Sequence, residues 1–421
     1  PKNDLQQLYL HLRNKFDNAE VGGLWEWVKT SADVGSEMLS DPTIIASALL
    51  VPWTGGTSAA ARIAAGKATQ LGLKKLASKD HDVVIYTTDL DAANNAKTFN
   101  KKLPRIQKIN KFVIKRTHVW FSKYLYFVNP GMYWQMINDD FDIIHSIGIR
   151  SFQAFISALV SKRKNVPLVL SDQGGLTTHP EQQEGKLMKR ILIKLQLPFI
   201  KYIINQANTI IVANEYEKNI FLEFCNESKI KIVKNGIDIE ELKTSEISFK
   251  KKYQMRENFI LFLGRFDKIK GIDTLLFSIA QIQNKIQNIK FIIMGADFGY
   301  EDEMMKIIND LKIEKLIKII KKPSREEVIA AYHECEFLVL PSRWELSPLT
   351  PLEGFACNKT VISTTAHGIP HTLTDNENSL LVEPNNIEQT SEAIMKLLND
   401  VDLRKSLEES AYKLVIDTCN S

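Results

Sequence analysis

Short apolar runs alternating with amphipathic helical stretches predict an α/β protein built on doubly wound parallel sheets. Three observations carry that class. Apolar runs such as 259–263, 290–295 and 317–320 are each followed by a stretch with helical periodicity. Glycine or a Pro-Ser pair ends several of the runs, as Gly264, Gly295 and Pro341-Ser342 do. Strand and helix alternating at this interval fold as parallel β-α-β units. The length of 421 residues, 44% of them hydrophobic, supplies about two or three cores of ordinary size.

In the first half, HDVVIYTT (81–88), FDIIHSIG (141–148) and VPLVLSDQGG (166–175) read as strands, and NTIIVANEYEKNIF (208–221) as a strand feeding a helix. His145 follows a buried run. It is either a strand-end histidine satisfied by backbone or a ligand residue. Gly174-Gly175 can bring amides close to a substrate. Residues 1–78 differ in composition from the rest. They are Ala-rich, hold three of the six tryptophans (Trp25, Trp27, Trp53) and contain only three isoleucines, whereas the remainder is rich in Ile, Lys and Asn. This part is either an added helical arm on a divergent N-terminus or a foreign segment joined near 73–79.

The second half is sharper. FILFLGRFDKIKGIDTLLFSIAQI (259–282) is a buried strand, a Gly-Arg turn, a Lys-Gly turn and an amphipathic helix. Gly264 lets backbone approach a ligand, and Arg265 and Lys270 place two cations at the mouth of the helix that begins near Ile272. The strand KFIIMG (290–295), a helix around 300–311, the strand IKII (317–320) and a helix over 324–335 follow. The apolar run 337–340 is a buried strand ended by Pro341-Ser342. Pro348 and Pro351 forbid a continuous helix beyond it, while Pro351 suits the first turn of a new one. Glu345 therefore lies on the loop leaving a strand. Glu353, eight residues on, lies in the first turn of the next helix. Carboxylates and helix amides thus gather at the carboxyl end of a parallel strand, where open α/β sheets bind ligands. Two cations suit a diphosphate and a carboxylate suits a ribose diol, which describes a nucleotide-sugar site. The bland alternative makes Glu353 an ordinary acid near a helix N-terminus.

These motifs resemble a known family. Residues 236–400 are similar to the nucleotide-sugar half of the family 4 retaining glycosyltransferases, whose GT-B fold has two Rossmann-like domains facing a cleft. The Gly-Arg…Lys-Gly pair stands at Gly264-Arg265 and Lys270-Gly271. The Pro-Ser-x-x-Glu…Leu-Glu signature stands at Pro341-Ser342, Glu345, Leu352 and Glu353. Asn-Gly-Ile-Asp, which opens the second domain, stands at Asn235, Gly236, Ile237 and Asp238. The resemblance implies that Arg265 and Lys270 hold the donor diphosphate, that Glu353 holds the ribose and that Glu345 faces the transferred sugar. Gly264 and Leu349 complete the implied donor side, and Glu345, Arg265 and Lys270 carry the chemistry. No metal and no further cofactor are expected beside the nucleoside-diphosphate sugar. TIIASALLVPWTGG (43–56) and the helical pattern over 58–77 answer to the family's opening strand, glycine turn and helix, which puts Gly55 with His145, Gln173 and Gly174 on the acceptor side. The implied domains are an N-terminal helical extension or fused segment (1–42), an acceptor-binding domain (43–235) and a nucleotide-sugar domain (236–421). Members of the family continue into a helix that crosses back to the first domain, so this sequence reads as stopping early.

Four departures stand out. Ser347-Pro348 replaces a usual Phe-Gly pair beside the sugar. Asn358 replaces a Gly after the helix, a mild change because Asn tolerates the left-handed conformation. His371 stands where a Glu is usual, and Gln173 where many members have a His. Gln can donate to a sugar hydroxyl but cannot titrate. These changes bear on donor preference more than on reaction class.

Charge is unevenly placed around a net +4. Residues 100–128 hold no Asp or Glu but eight cations: Lys101, Lys102, Arg105, Lys108, Lys111, Lys115, Arg116 and Lys123. Phe112, Trp120, Phe121, Tyr124, Tyr126 and Phe127 are interleaved with them. Residues 186–201 form a second basic-apolar stretch. One reading is a solvated basic face over ordinary core residues. Another is docking on anionic lipid, with Trp120, Phe121, Tyr124 and Phe127 at headgroup level. Nucleic acid is excluded by the lack of any reading motif. No run of 18 uncharged apolar residues occurs, no signal peptide opens the sequence, and the four cysteines show no paired spacing. The expected location is the cytoplasm, at the inner face of the membrane where the acceptor is lipid-linked. The sequence thus reads as a retaining glycosyltransferase that moves a sugar from a nucleoside diphosphate to a glycan, lipid or small-molecule acceptor. Two alternatives stay open. One is a nucleotide-sugar epimerase recruiting His367 or His371, and the other is a non-catalytic GT-B scaffold.

Overall fold

The computed structural model describes residues 82–89, 100, 102–109, 112–123, 126–172, 176 and 187–419. The segments 43–56 and 58–77, the extension 1–42, and Gly55, Gln173 and Gly174 lie outside these residues. The described chain forms two compact units. One takes the residues up to Ile211 together with Ile220–Lys231, and the other takes Val212–Asn219 and everything from Ile232 on. No helix among the described residues is long and apolar enough to cross a membrane.

In the first unit, strands β1 (Val83–Thr88) and β3 (Phe112–Thr117) pair in parallel, and β2 (Ile106–Ile109) pairs antiparallel with β3. A small hairpin follows, of β4 (Phe121–Lys123) and β5 (Tyr126–Val128), and then helix α1 (Gly131–Asn138). Strands β6 (Ile144–Ile147), β7 (Leu168–Ser171), β8 (Thr209–Val212) and β9 (Ile230–Ile232) form a four-stranded sheet in that order. Helices α2 (Phe152–Lys164) and α3 (Leu187–Gln206) connect its first three strands, and α4 (Glu215–Leu222), whose first five residues belong to the second unit, follows β8. The antiparallel β2 and the β4–β5 hairpin are departures from the purely parallel expectation.

Two sequence readings need correction here. Phe127 belongs to the core, not to a membrane-facing belt, at 7% exposure. Two of the eight cations of the basic stretch are also neutralised within the unit. The fully buried Asp89 carboxylate takes Arg105 at 3.3 Å and the His118 ring at 2.6 Å, and Lys115 pairs with Asp139. Next, His145 does not follow a strand but lies inside β6, on its exposed alternate face, with its Nε2 2.7 Å from the Ser171 hydroxyl. The carboxyl end of β6 is occupied instead by residues 148–150. They are tied to the end of β7 by Asp172, which is buried and accepts from the amides of Ile149 (3.1 Å) and Leu176 (2.7 Å).

The second unit opens with two short helices, α5 (Ile239–Leu242) and α6 (Phe249–Lys252). Strands β10 (Asn258–Leu263), β11 (Ile289–Gly295) and β12 (Ile317–Lys321) alternate with helices α7 (Ile272–Ile282), α8 (Glu301–Leu311) and α9 (Arg325–Glu334). Strand β13 (Leu338–Val339), helix α10 (Leu349–Ala356), strands β14 (Val361–Thr364) and β15 (Ser379–Val382), and helices α11 (Ile387–Asn399) and α12 (Val401–Cys419) complete it. The six strands run parallel in the order β12-β11-β10-β13-β14-β15. They read as continuous apolar runs because helices cover both faces of such a sheet. Phe259, Phe291, Phe337 and Phe355 are each at most 1% exposed in its core. Ser324 caps α9 in a reciprocal box with Glu327, which fixes where that helix starts. Asn358 takes the left-handed conformation after α10, φ 56°, as its place in the sequence required. Cys335 and Cys357 are buried thiols, each pushed up to about 12 chiefly by burial.

The strand order reverses between β10 and β13, so chain leaves the sheet there in opposite directions and a crevice opens at the carboxyl ends. The ends of β10 and β11 meet so closely that a Cβ on Gly295 would lie 1.7 Å from the Gly264 carbonyl oxygen. Gly295→Ala is therefore expected to destabilise the fold by at least the 1–3 kcal/mol typical of overpacking, about, read as a lower midpoint in urea unfolding. An unchanged midpoint would show that the two strand ends separate freely.

Candidate active site

The loop after β10 is shaped by its own side chains. Asp267 accepts from the Ile269 amide at 3.1 Å and starts the 3₁₀ turn Lys268–Lys270. Gly271 ends that turn at φ 67°, where a Cβ would stand 2.0 Å from the Pro341 carbonyl oxygen. Only glycine satisfies both the left-handed backbone and the close approach. The loop after β10 is thereby pressed onto the loop after β13. Arg265 pairs with Asp267 at 3.4 Å, and its guanidinium sits 4.9 Å above the centre of the Phe298 ring. That cation–π contact holds the planar head in one orientation.

Lys270 and Glu345, 75 residues apart, form an ion pair in which both side chains are only 17% exposed. The Ser342 hydroxyl donates to the same Glu345 Oε1 at 3.1 Å, and Oε2 accepts no hydrogen bond among the described residues. The backbone around Glu345 is fixed from several sides. Gly368 N donates to the Glu345 carbonyl at 3.0 Å, Asn214 Nδ2 to Leu346 O at 2.7 Å and Asn235 Nδ2 to Ser347 O at 3.1 Å. Beside this loop, His367 holds a left-handed φ of 51° and its Nδ1 lies 2.9 Å from the Tyr216 hydroxyl. Trp344 is 6.2 Å from His367, and His371 is 6.5 Å from Tyr216, between ring centres. Desolvation holds His367 below its ordinary pKa and so favours the neutral ring.

Glu353 needs a correction of place. Helix α10 begins at Leu349, with Pro348 as its cap, so Glu353 is in the second turn and not the first. Pro351 does fall in the first turn, as the third helical residue, where proline is tolerated because those N–H groups have no helical partner; Glu353 lies two residues beyond it. The first-turn amides therefore belong to Leu349 and Thr350. Glu353 is buried. Its Oε2 accepts from the Tyr332 hydroxyl at 2.9 Å, and its Oε1 pairs with Arg325 at 2.9 Å. Arg325 also reaches Glu241 at 2.8 Å. Burial works against the Arg325 charge, but the Glu241 hydrogen bond and the Glu353 charge outweigh it and raise its pKa. Burial, then the Glu353 charge, lifts the Tyr332 hydroxyl well above its usual range, so it remains the donor.

Lys270 and Glu345 are thus brought into contact, Arg265 stands on the same loop as Lys270, and Leu349 opens the helix that follows Glu345. His145 stays in the first unit. Known proteins are similar to most of the chain. The model of the glycosyl transferases group 1 matches residues 243–414, and that of glycosyltransferase family 4 matches residues 73–241. The uncharacterized glycosyltransferase MJ1178 of Methanocaldococcus jannaschii is 30% identical over 274 residues, covering 65% of this chain and 70% of the relative. The chain belongs to the group 1 glycosyltransferases. Among solved structures, sucrose-phosphate synthase from Thermosynechococcus elongatus superposes with a TM-score of 0.65 at 17% identity, over 83% of this chain and 89% of that one. Anabaena Alr3699/HepE, crystallised with UDP and glucose, gives 0.59 at 17% identity over 73% and 82%. These likenesses establish the GT-B fold of this glycosyltransferase.

The partners of Glu353 escaped the sequence reading. Tyr332 and Arg325 lie on α9, 21 and 28 residues before it, at no spacing that a local pattern reveals. Tyr332→Phe removes the donor to a buried carboxylate oxygen of the glycosyltransferase, and is expected to cost about 1–3 kcal/mol in chemical unfolding. A variant as stable as the parent would mean that Oε2 is satisfied without Tyr332.

Proposed function

We propose that this glycosyltransferase transfers a sugar, with retention, from a nucleoside diphosphate to an acceptor hydroxyl. The Lys270–Glu345 pair at the reversal of the strand order carries the reading. With no donor bound, each charge answers the other. A diphosphate reaching the mouth of α7 would draw Lys270 away from Glu345, because two phosphates offer more negative charge than one carboxylate. Arg265, already oriented by Phe298, would add the second cation. Glu345 would then turn its oxygens to the sugar. As the bond from the anomeric carbon to the phosphate oxygen breaks, Lys270 and Arg265 neutralise the charge gathering on the diphosphate. The acceptor oxygen bonds to that carbon from the same face, and its proton passes to the departing phosphate oxygen. Glu353, with about four lone-pair sites on its two oxygens, would take the ribose hydroxyls alongside Tyr332 and Arg325.

UDP is the first donor nucleotide to try, since Alr3699/HepE was crystallised with UDP; GDP, ADP and dTDP complete the panel. Calorimetry should show Arg265→Ala and Lys270→Ala weakening the best-bound nucleotide by about 1.5–3 kcal/mol each. Glu345→Ala should mainly lower turnover with the matching nucleotide sugar, and loss of donor should require acceptor. Unchanged affinity in both cation variants would remove the donor assignment, and conversion of the nucleotide sugar without acceptor would favour an epimerase.

The acceptor is proposed to be membrane-borne on narrower grounds. Lys102 and Lys108 remain exposed around edge strand β2, and Ile106 between them is 64% exposed. Each exposed cation adds about 1 kcal/mol of attraction to an anionic surface, and salt screens it. The protein should sediment with vesicles containing phosphatidylglycerol at low salt and be released at 1 M, about, where the screening length falls to roughly 3 Å. Equal recovery on neutral and anionic vesicles would point to a soluble acceptor.

A further inference from the structure

Arg343 lies between the Pro-Ser pair and Glu345, at a position that no motif uses, yet it makes more contacts across the sheet edge than either motif residue. Its backbone N–H donates to the Ile269 carbonyl at 2.7 Å. All three nitrogens of its guanidinium donate, to three other segments. Nη2 donates to both oxygens of Asp273 at 2.8 and 2.7 Å and lies 3.5 Å from the Thr274 hydroxyl. Nη1 donates to the Lys268 carbonyl, and Nε to the Asn385 side-chain oxygen. Asn385 is itself held at a left-handed φ of 64° in the turn between β15 and α11. One side chain, 21% exposed, thus joins the loop after β13 to the turn after β10, the first turn of α7 and the turn after β15.

We infer that Arg343 is a positioning residue for the donor site, holding the Lys268–Lys270 turn in register with Glu345. Its hydrogen bonds go to neither the Lys270 nor the Glu345 side chain. Its bonds go to the backbone of Lys268 and Ile269, the two residues before Lys270, and its own backbone is two residues from Glu345. A short turn has few bonds of its own: Lys270 N to Asp267 O at 3.0 Å and Gly271 N to Lys268 O at 3.2 Å. Gly271 presses it against Pro341, and Arg343 ties it down by the Lys268 and Ile269 carbonyls. The diphosphate then meets a cation already aimed, and misplacement of catalytic groups by about 1 Å costs on the order of 10²-fold in rate. The planar fork is essential to this role, since an ammonium cannot bond Asp273, Lys268 O and Asn385 together.

The inference rests on the reading of Lys270 as a diphosphate ligand, so Lys270→Ala is measured beside the Arg343 variants. The probe is whichever of UDP, GDP, ADP and dTDP binds the parent best, followed by calorimetry, and by kcat and KM with the corresponding nucleotide sugar. Arg343→Lys keeps the charge and breaks the fork; Asp273→Asn weakens the fork from the other end. Both should raise the dissociation constant about tenfold and lower kcat/KM further. The double variant should be little worse than either, because the two residues act as one unit. Arg343→Lys variants that bind and turn over like the parent while Lys270→Ala is impaired would overturn the positioning role and leave the donor site standing. Arg343→Lys that lowers only the melting temperature would overturn it as well. A Lys270→Ala protein with parental affinity would remove the donor reading itself. Because Arg343→Ala risks misfolding, the conclusion is drawn from the lysine and Asp273 variants alone.

Discussion

Every strand of the second unit runs in one direction, and the site follows from that constraint. A parallel ladder sends all its carboxyl ends to one edge, so loops distant in sequence become neighbours without any special recognition. Reversal of the strand order between β10 and β13 then leaves a gap at that edge, where no crossing helix covers the strand ends. Glycine turns this topology into contact. At Gly271, Gly295 and Gly368, a Cβ would lie 2.0 Å or less from a carbonyl oxygen of a neighbouring loop or strand. The floor of the site is therefore backbone packed on backbone, which does not vary with side-chain rotamers.

On that floor the charges are arranged in pairs. Partly buried ions without partners are costly, and Lys270, Arg265, Glu345 and Glu353 each have an opposite charge within 3.4 Å. The pairs differ in how readily they open. Arg265 and Lys270 sit on a turn that faces the crevice, and each is matched to one carboxylate. Glu353 lies deeper, between a buried tyrosine and an arginine that a second carboxylate also holds. A strong anion can win the first two cations, whereas the Arg325–Glu353–Tyr332 network is built to stay closed.

What the sequence revealed was local. Strand, glycine turn and helix lie within about twenty residues of one another, so the parallel class, the Gly-Arg…Lys-Gly loop and the left-handed place of Asn358 were all legible. Glu353 was placed one turn too early, because proline marks a first turn without marking its first residue. Phe127 and His145 were misjudged for another reason: in strands of three or four residues, alternation is too brief to say which face is buried. The Arg343–Asp273 clamp was illegible in principle, since its partners are 70 residues apart and only the fold brings them together.

The two glutamates that the sequence set side by side end up with different capacities. Glu345 spends one oxygen on both Lys270 and Ser342 and keeps the other open at 17% side-chain exposure. Glu353 has a named partner on each oxygen and is all but closed to solvent. A carboxylate oxygen can accept about two hydrogen bonds, so Glu353 can add a ligand hydroxyl without giving up Tyr332. Such a group binds rigidly and changes little during a reaction. On the proposed reading, Glu345 would exchange its partner as a donor arrives and leaves, because its counterion would itself be drawn to the ligand. On that same reading, the difference in environment would suit Glu353 to rigid recognition of the ribose and Glu345 to adjustable contact with the reacting sugar, although both side chains are the same chemical group.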